Sequence, residues 1–302
     1  MPQHGLYDVV ILGSGPAGLQ AAIHAARKRV SVLVLGRTEK SSLFRAHIEN
    51  ICCSFNVAGD ELLRVGREQA VLFGAEMAEE DVLGLAPEAN GIRVRLEGGS
   101  DVTTRSVILA TGTSRNRLGV PGEKSLLGKG VSYCVDCDGN FFRQQPVCIV
   151  GGESAAADGA LSLIKIASDV HLVCDTMTVS PVMADELAHS GVIVHDGEGI
   201  AAILGEREVT GVQLKSGKTL DVKGVFIELG AKGVLELAAS LGLMMDDEMK
   251  YLKADKQQAT NLPGVFAAGD ICGPPWQMAK AIGEGCVAGI NAANFAKKHA
   301  RT

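Results

Sequence analysis

The sequence has no run of basic residues, no apolar stretch long enough to span a membrane, and no second ligand pair to accompany its one C-x-x-C. Without a basic run, and at a net charge of −6, the chain offers no footprint for nucleic acid or for an anionic membrane surface. The opening residues 1–6 carry no cationic region, and the apolar run at 9–12 is too short for a signal or a span. The expected compartment is therefore the cytoplasm. Aromatic residues are scarce too, and Trp276 is the only tryptophan.

What is present suits a globular protein. The 302 residues are 46% hydrophobic and 21% charged, a comfortable length for two domains. Eight cysteines are spread without regular spacing, so a disulfide scaffold is not expected. Cys148 and Cys286 lie in apolar runs and read as packing residues. The adjacent Cys52 and Cys53 read the same way, because vicinal cysteines seldom bridge. Cys134 and Cys137 differ. They are half of a zinc site, a redox pair, or a chance spacing. A zinc site needs further ligands, yet Cys148 and Cys174 stand alone and no His-x-x-x-His follows. The two-residue spacer favours redox chemistry, since two thiols can then close a small ring and one has a lowered pKa.

Residues 7–12 read as a buried strand, 13–18 as a glycine turn (Gly13-Ser14-Gly15-Pro16-Ala17-Gly18), 19–27 as a helix and 30–35 as a second strand. In such a unit Gly13 permits the turn, Gly15 lets backbone approach a pyrophosphate, and Gly18 lets the helix pack on the strand. The helix start then faces the phosphates. An acid usually follows at the end of the second strand for a ribose hydroxyl. Here that end is Gly36-Arg37, so the adenosine must be held by Arg37 and main chain. Residues 38–60 read as an irregular loop, 61–79 as a helix, 92–104 as a hairpin, and 107–112 as a strand entering the turn Ala110-Thr111-Gly112. A boundary is expected near 116. Strand, glycine turn, helix and strand recur at 147–150, 151–156, 157–166 and 170–173. Residues 198–230 read as a strand meander, and a last helix is expected over about 277–296.

Residues 13–18, Ala110-Thr111-Gly112, Cys134-Val135-Asp136-Cys137-Asp138-Gly139 and 264–270 together resemble the low-molecular-weight thioredoxin reductases of the flavin disulfide reductase superfamily. Their order and spacing match along essentially the whole chain. The resemblance implies an α/β fold of two Rossmann-like, three-layer nucleotide-binding domains, the second inserted into the first. Residues 1–115 and 244–302 would bind FAD, and 116–243 would carry the disulfide. It implies a homodimer whose domains rotate between flavin reduction and disulfide reduction. It also implies FAD contacts at Gly13, Ser14, Gly15, Pro16, Ala17, Gly18, Gly36, Arg37, Asn50, Thr111, Gly112, Gly269, Asp270, Gln277, Met278 and Ala279. The family's Gly-Gly-Gln-Leu beside the flavin ring is replaced here by Ser41-Ser42-Leu43-Phe44. By the same resemblance Cys137 faces the flavin, Cys134 attacks the substrate disulfide, and Asp138 manages the proton. Asp136 reads as a modulator that raises thiol pKa. Trp276, after Pro274-Pro275, reads as a flavin cover, a partner surface or a packing residue.

Two departures concern the donor. Glu153 stands where the second glycine turn needs its own second glycine. Like charges at ~4 Å and an effective dielectric near ~20 cost about 4 kcal/mol, an upper figure worth roughly three decades of affinity. The family's His-Arg-Arg grip on the NADPH 2′-phosphate is replaced by Cys174-Asp175-Thr176. The expectation is an atypical, NAD(P)H-independent thioredoxin reductase fed by ferredoxin or another carrier. An NADH-dependent reductase, with Asp175 on the ribose, a flavin-binding redox sensor and a thiol oxidase are the alternatives.

Overall fold

A computed structural model describes residues 5–52, 54–112, 117–230, 233–247 and 249–300, with the side chains at 234 and 235 left aside. Cys53 and the boundary expected near 116 lie outside the described residues. The chain divides into two compact units. One comprises Met1–Leu96, Ser100–Ser114 and Leu237–Thr302, and the other Glu97–Gly99 and Arg115–Glu236.

The first unit opens with β1 (Leu6–Leu12), α1 (Pro16–Arg27) and β2 (Val32–Leu35). The strands are almost continuously apolar and buried, as parallel strands covered on both faces must be. Proline at the first turn of α1 and His24 and Arg27 in its last turn suit the two ends of a helix. A short antiparallel pair, β3 (His47–Ile48) and β4 (Val57–Ala58), leads into α2 (Gly59–Leu72) and β5 (Ala75–Ala78). Residues 38–60 are thus not wholly irregular, and Leu43 and Ile48 pack with Leu19 and Leu63. The helix expected over 61–79 ends early. Gly74, at φ +99°, turns the chain out of helical geometry, and the following residues pair in parallel with β2.

A meander follows: β6 (Val82–Glu88), β7 (Gly91–Leu96) and β8 (Asp101–Leu109). β8 is shared. Its first half pairs antiparallel with β7, and from Thr103 to Leu109 it lies parallel to β1.

The second unit contains β9 (Val131–Ser132), α3 (Val135–Asp138), β10 (Val147–Val150), α4 (Ser154–Leu163), β11 (Val170–Cys174), α5 (Pro181–Ser190) and β12 (Ile193–Asp196). An antiparallel trio follows, β13 (Ile200–Leu204), β14 (Gly211–Leu214) and β15 (Thr219–Leu220), and then β16 (Gly224–Ile227). The meander expected over 198–230 is correct only for the trio. β16 is wholly buried and joins a parallel sheet ordered β12-β11-β10-β16-β9.

After α6 (Val234–Leu241) the chain completes the first sheet with β17 (Val265–Ala267), parallel to the end of β8, and covers it with α7 (Met278–His299). α7 packs on α1 through small residues: a methyl added at Gly285 or Gly289 would collide with the carbonyls of Ala17 and Ala21. The expected fold class, two Rossmann-like units with the second inserted into the first, is borne out. No helix among the described residues is long and apolar enough to cross a membrane.

Phe226 is fully buried on β16 and meets Phe142 edge-on at 5.4 Å between ring centres. Phe226→Ala should cost roughly 3–5 kcal/mol in urea unfolding, as large-to-small core changes do.

Candidate functional site

The first glycine turn joins β1 to α1. A methyl on Gly13, at φ +114°, would strike the carbonyl of Ala110, and one on Gly18 would strike the carbonyl of Gly13. These two glycines answer to the protein's own backbone. Gly15 does not: a methyl there would meet only Ser41 Oγ, at 3.3 Å. What Gly15 keeps open is the space before α1. No side chain caps that helix and its first turn holds no acid, so its leading amides are available to an anion. Ser14, Ala17 and Gly18 are buried, whereas Gly15 and Pro16 are partly open.

At the end of β2, Gly36 N donates to Ala78 O, and Arg37 is clamped by Asp81 at 2.7 Å. Asp81 is only 5% exposed and also meets Lys40 at 3.4 Å. The sequence reading missed Asp81 because it lies on a neighbouring strand connection, 44 positions from Arg37. Thr38 Oγ1 and Glu80 Oε2 are buried nearby in sequence without a hydrogen-bond partner. Orphaned polar atoms of that kind, beside a glycine turn that admits phosphate, fit the adenosine half of a dinucleotide.

The C-terminal contribution to this unit is the turn before α7. Gly269 has φ +89°, and Asp270 begins a single 3₁₀ turn, Asp270–Cys272. Lys280 Nζ donates to the carbonyls of Gly269 and Gly273 at 2.9 and 2.8 Å, while Glu284 accepts from Gly269 N at 2.8 Å and pairs with Lys280 at 3.2 Å. Burial raises the carboxyl of Asp270 above its usual range. Lys280 opposes that shift and Glu284 adds to it. The same burial pushes the Cys272 thiol up to about 12, which keeps it a neutral packing group. Sequence reading named Asp270 but not the Lys280–Glu284 clip, which only folding of the turn onto α7 brings together.

Asn50 and Gln277 are 227 positions apart, yet Asn50 Nδ2 donates to Gln277 Oε1 at 2.9 Å. Met278 packs against the cluster containing Leu19 and Leu43, so the substituted segment 41–44 is partly core. Ala279 is exposed on the first turn of α7. Thr111 and Gly112 lie one residue past the end of β8, and Gly112 has φ +73°. Trp276 is 57% exposed, with the Tyr251 ring 6.5 Å away.

In the second unit, Cys134 and Cys137 form a disulfide. Cys137 N donates to Cys134 Sγ at 3.1 Å. Cys134 is 4% exposed, and Cys137 is the outward sulfur. Asp138 accepts from Ser132 Oγ at 2.6 Å, and that hydroxyl in turn accepts from Cys134 N at 3.0 Å. Ser132 thus ties the candidate proton-handling carboxyl to the redox pair, a link that residue types alone did not reveal. Tyr133 Oη donates to Glu123 at 2.6 Å. Burial would raise Glu123, but hydrogen bonds from Tyr133 and the amides of Gly119, Leu118 and Val120 prevail and hold its carboxyl below its ordinary value. Cys148 and Cys174, both buried, are pushed up to about 12 and about 11, chiefly by burial, so neither competes as a thiolate. Among the described residues no group of three or more His, Cys, Asp or Glu is placed to hold a metal.

The second glycine turn is closed by its own chain. A methyl on Gly152 would collide with the carbonyl of Thr176, and Thr178 N donates to Gly152 O at 2.6 Å. Glu153 occupies the residue before α4, and Asp175 pairs with Lys215 at 3.0 Å.

The pyridine nucleotide-disulphide oxidoreductase family model matches residues 7–285. The chain belongs to that family. It is 37% identical over 299 residues to the thioredoxin reductase of Mycolicibacterium smegmatis, covering 95% of this chain and 96% of that protein. The crystal structure of the atypical thioredoxin reductase TRi from Desulfovibrio vulgaris Hildenborough superposes with a TM-score of 0.85 at 36% identity, over 97% of this chain and 98% of the other. A ferredoxin-flavin thioredoxin reductase from Clostridium acetobutylicum gives 0.69 at 30% identity, over 96% and 97%. The chain is a thioredoxin reductase-like flavin disulfide oxidoreductase, and the thioredoxin reductases of this family are FAD-binding flavoproteins.

Gly15→Ala separates ligand from fold. It should leave thermal unfolding nearly unchanged yet weaken FAD retention by a decade or more, about 1.4 kcal/mol per decade. Gly13→Ala should instead destabilise the chain itself, measured by the same two readouts.

Proposed function

We propose that this protein is a thioredoxin reductase-like enzyme that passes electrons from a donor other than NADPH, such as ferredoxin, through FAD and the Cys134–Cys137 pair to thioredoxin. The observation that carries the donor assignment is the self-closed second glycine turn. The Thr178 amide takes up the carbonyl of Gly152, the Thr176 carbonyl crowds its α-carbon, and Glu153 precedes α4. A pyrophosphate would have to displace that main chain and approach a carboxylate. Asp175 contributes less than residue type alone implies, because Lys215 offsets its charge. Both side chains are exposed, so the pair is worth little by itself. NADH meets the same obstruction at Gly152 and Glu153 as NADPH. Two structural relatives described as atypical and as ferredoxin-flavin reductases support this donor assignment.

Residues 1–115 and 244–302 form the FAD-binding domain in this reading, and 116–243 carries the disulfide. Gly13, Ser14, Gly15, Pro16, Ala17 and Gly18 form the turn that cradles the pyrophosphate, with Ala17 and Gly18 offering leading amides of α1. Gly36 and Arg37, with Arg37 oriented by Asp81, hold the adenosine side. Thr111, Gly112, Gly269 and Asp270 take the middle of the cofactor, and Asn50, Gln277, Met278 and Ala279 its ring end. FAD, when bound, supplies an acceptor and donor of an electron pair.

The disulfide step uses this chain's own groups. With the pair reduced, the Cys134 thiolate attacks the thioredoxin disulfide, forms a mixed disulfide and releases one thioredoxin thiolate. The Cys137 thiolate then attacks Cys134 Sγ, re-forms the Cys134–Cys137 bond and releases the second thioredoxin thiol. Asp138, held by Ser132, carries the proton that each leaving thiolate needs. Cys134 is buried in the oxidised arrangement, so opening the sulfur–sulfur bond must precede its attack. The enzyme works as a cytoplasmic homodimer.

Steady-state reduction of thioredoxin should proceed with reduced ferredoxin and fail with NADPH and NADH. Efficient turnover with NADPH at micromolar KM would overturn the donor assignment. Cys134→Ser should keep FAD and abolish thioredoxin reduction. Asp138→Asn should slow it roughly 10²–10⁴-fold, the usual range for losing an acid–base group, without changing the unfolding midpoint.

A further inference from the structure

The turn between β17 and α7 is held by two charged side chains that have no part in the reaction just described. Lys280 and Glu284 lie one helical turn apart on α7 and are 16% and 19% exposed. A lysine ammonium carries three donors and no acceptor. Three oxygens face this one: Gly269 O at 2.9 Å, Gly273 O at 2.8 Å and Glu284 Oε2 at 3.2 Å. Glu284 Oε2 also accepts from Gly269 N at 2.8 Å. The main chain adds its own closure, since Cys272 N donates to Gly269 O and Gly273 N to Asp270 O, each at 2.9 Å. Asp270 therefore sits between two gripped glycines, both at positive φ, +89° and +98°. Among the described residues no hydrogen bond engages the Asp270 carboxyl, so the turn fixes its backbone and leaves the side chain to a ligand.

We propose that Lys280 is a positioning residue for the flavin: with Glu284 it fixes the turn that presents Asp270, and it supplies a cation beside the Asp270 carboxylate. This role rests on the reading of Asp270 as a flavin contact. An ionised carboxylate accepts a hydroxyl more strongly than a neutral acid does. Burial works against the ionised form of Asp270, Glu284 adds a like charge, and Lys280 opposes both. The remaining surroundings hold no other charge that could take its place. Cys272, on the same turn, has its thiol pushed up to about 12 and is neutral. Tyr251 lies against Gly273, and α1 reaches Gly269 through the methyl of Ala17. Without Lys280, two carboxylates would share a half-buried turn whose carbonyls have lost their donor.

The test uses full-length protein, with FAD and stripped of it. Lys280→Met keeps the apolar stem and removes the charge and the donors. In the stripped protein the amides of Cys272 and Gly273 should exchange hydrogen roughly tenfold faster than in wild type, a readout that needs no flavin. The dissociation constant for FAD should rise roughly tenfold or more, the size of one lost hydrogen bond to a charged group. As pH falls, Lys280→Met should release FAD at a higher pH than wild type, because its Asp270 takes up a proton sooner. Glu284→Gln keeps an oxygen for Gly269 N and removes the like charge, so it should release FAD at a lower pH than wild type. Lys280→Arg, which keeps the cation, should follow the wild-type pH profile. A merely structural loss would move the Met and Gln profiles the same way, and that result would overturn the proposal. So would wild-type exchange and FAD affinity in Lys280→Met, which would leave Asp270 a flavin contact without this support. Wild-type FAD affinity in Asp270→Asn would instead sink the Asp270 reading, and with it the role of Lys280 toward the flavin, whatever the exchange rates. If Lys280→Met does not fold, Glu284→Gln decides, and an unmoved pH profile there counts against the proposal.

Discussion

The first unit depends on how closely α1 and α7 approach. Gly285 and Gly289 have no side chains to hold the helices apart, and the carbonyls of Ala17 and Ala21 fill the space instead. That contact brings the turn after β1 and the turn before α7 into one unit although some 250 residues separate them in sequence. A cofactor site assembled from both regions needs such a seam. The Lys280–Glu284 clip adds to it, because both side chains leave α7 to grip the main chain of Gly269 and Gly273.

The two glycine turns keep one architecture while their immediate surroundings differ. In the first, Gly13 and Gly18 serve the backbone and Gly15 leaves the mouth open. In the second, Gly151 serves the backbone in the same way, lying against the carbonyl of Glu228. Gly152 has instead been taken over by the chain from 176 to 178, and Glu153 stands at the mouth. Strand and helix survive such changes because the sheet β12-β11-β10-β16-β9 draws its stability from buried aliphatic side chains, not from the turn.

Much of this was legible before any coordinates. Apolar runs such as 9–12 and 147–150 are unambiguous strands because both faces are covered, and glycine spacing marks the turns between strand and helix. The C-x-x-C pair was legible from its spacing, whereas the role of Asp138 rested on the family resemblance. Other features escaped for identifiable reasons. The end of α2 was set by the left-handed backbone at Gly74 and by pairing of 75–78 with β2, a long-range contact that overrides helical periodicity. Asp81 and Ser132 carry no motif, and their significance comes from a partner brought close by folding. Asp175 misled slightly, since Lys215 lies forty positions away and only tertiary structure pairs them.

β8 is bordered by β1 and β7 from the preceding chain, but its remaining neighbour, β17, lies beyond the whole of the second unit. During synthesis the ribosome must therefore deliver the inserted unit before the strand and helix that close its host. The nascent host waits with an open sheet edge and an uncovered α1 surface while its guest can already fold. Such an exposed intermediate is where a chaperone would be needed most.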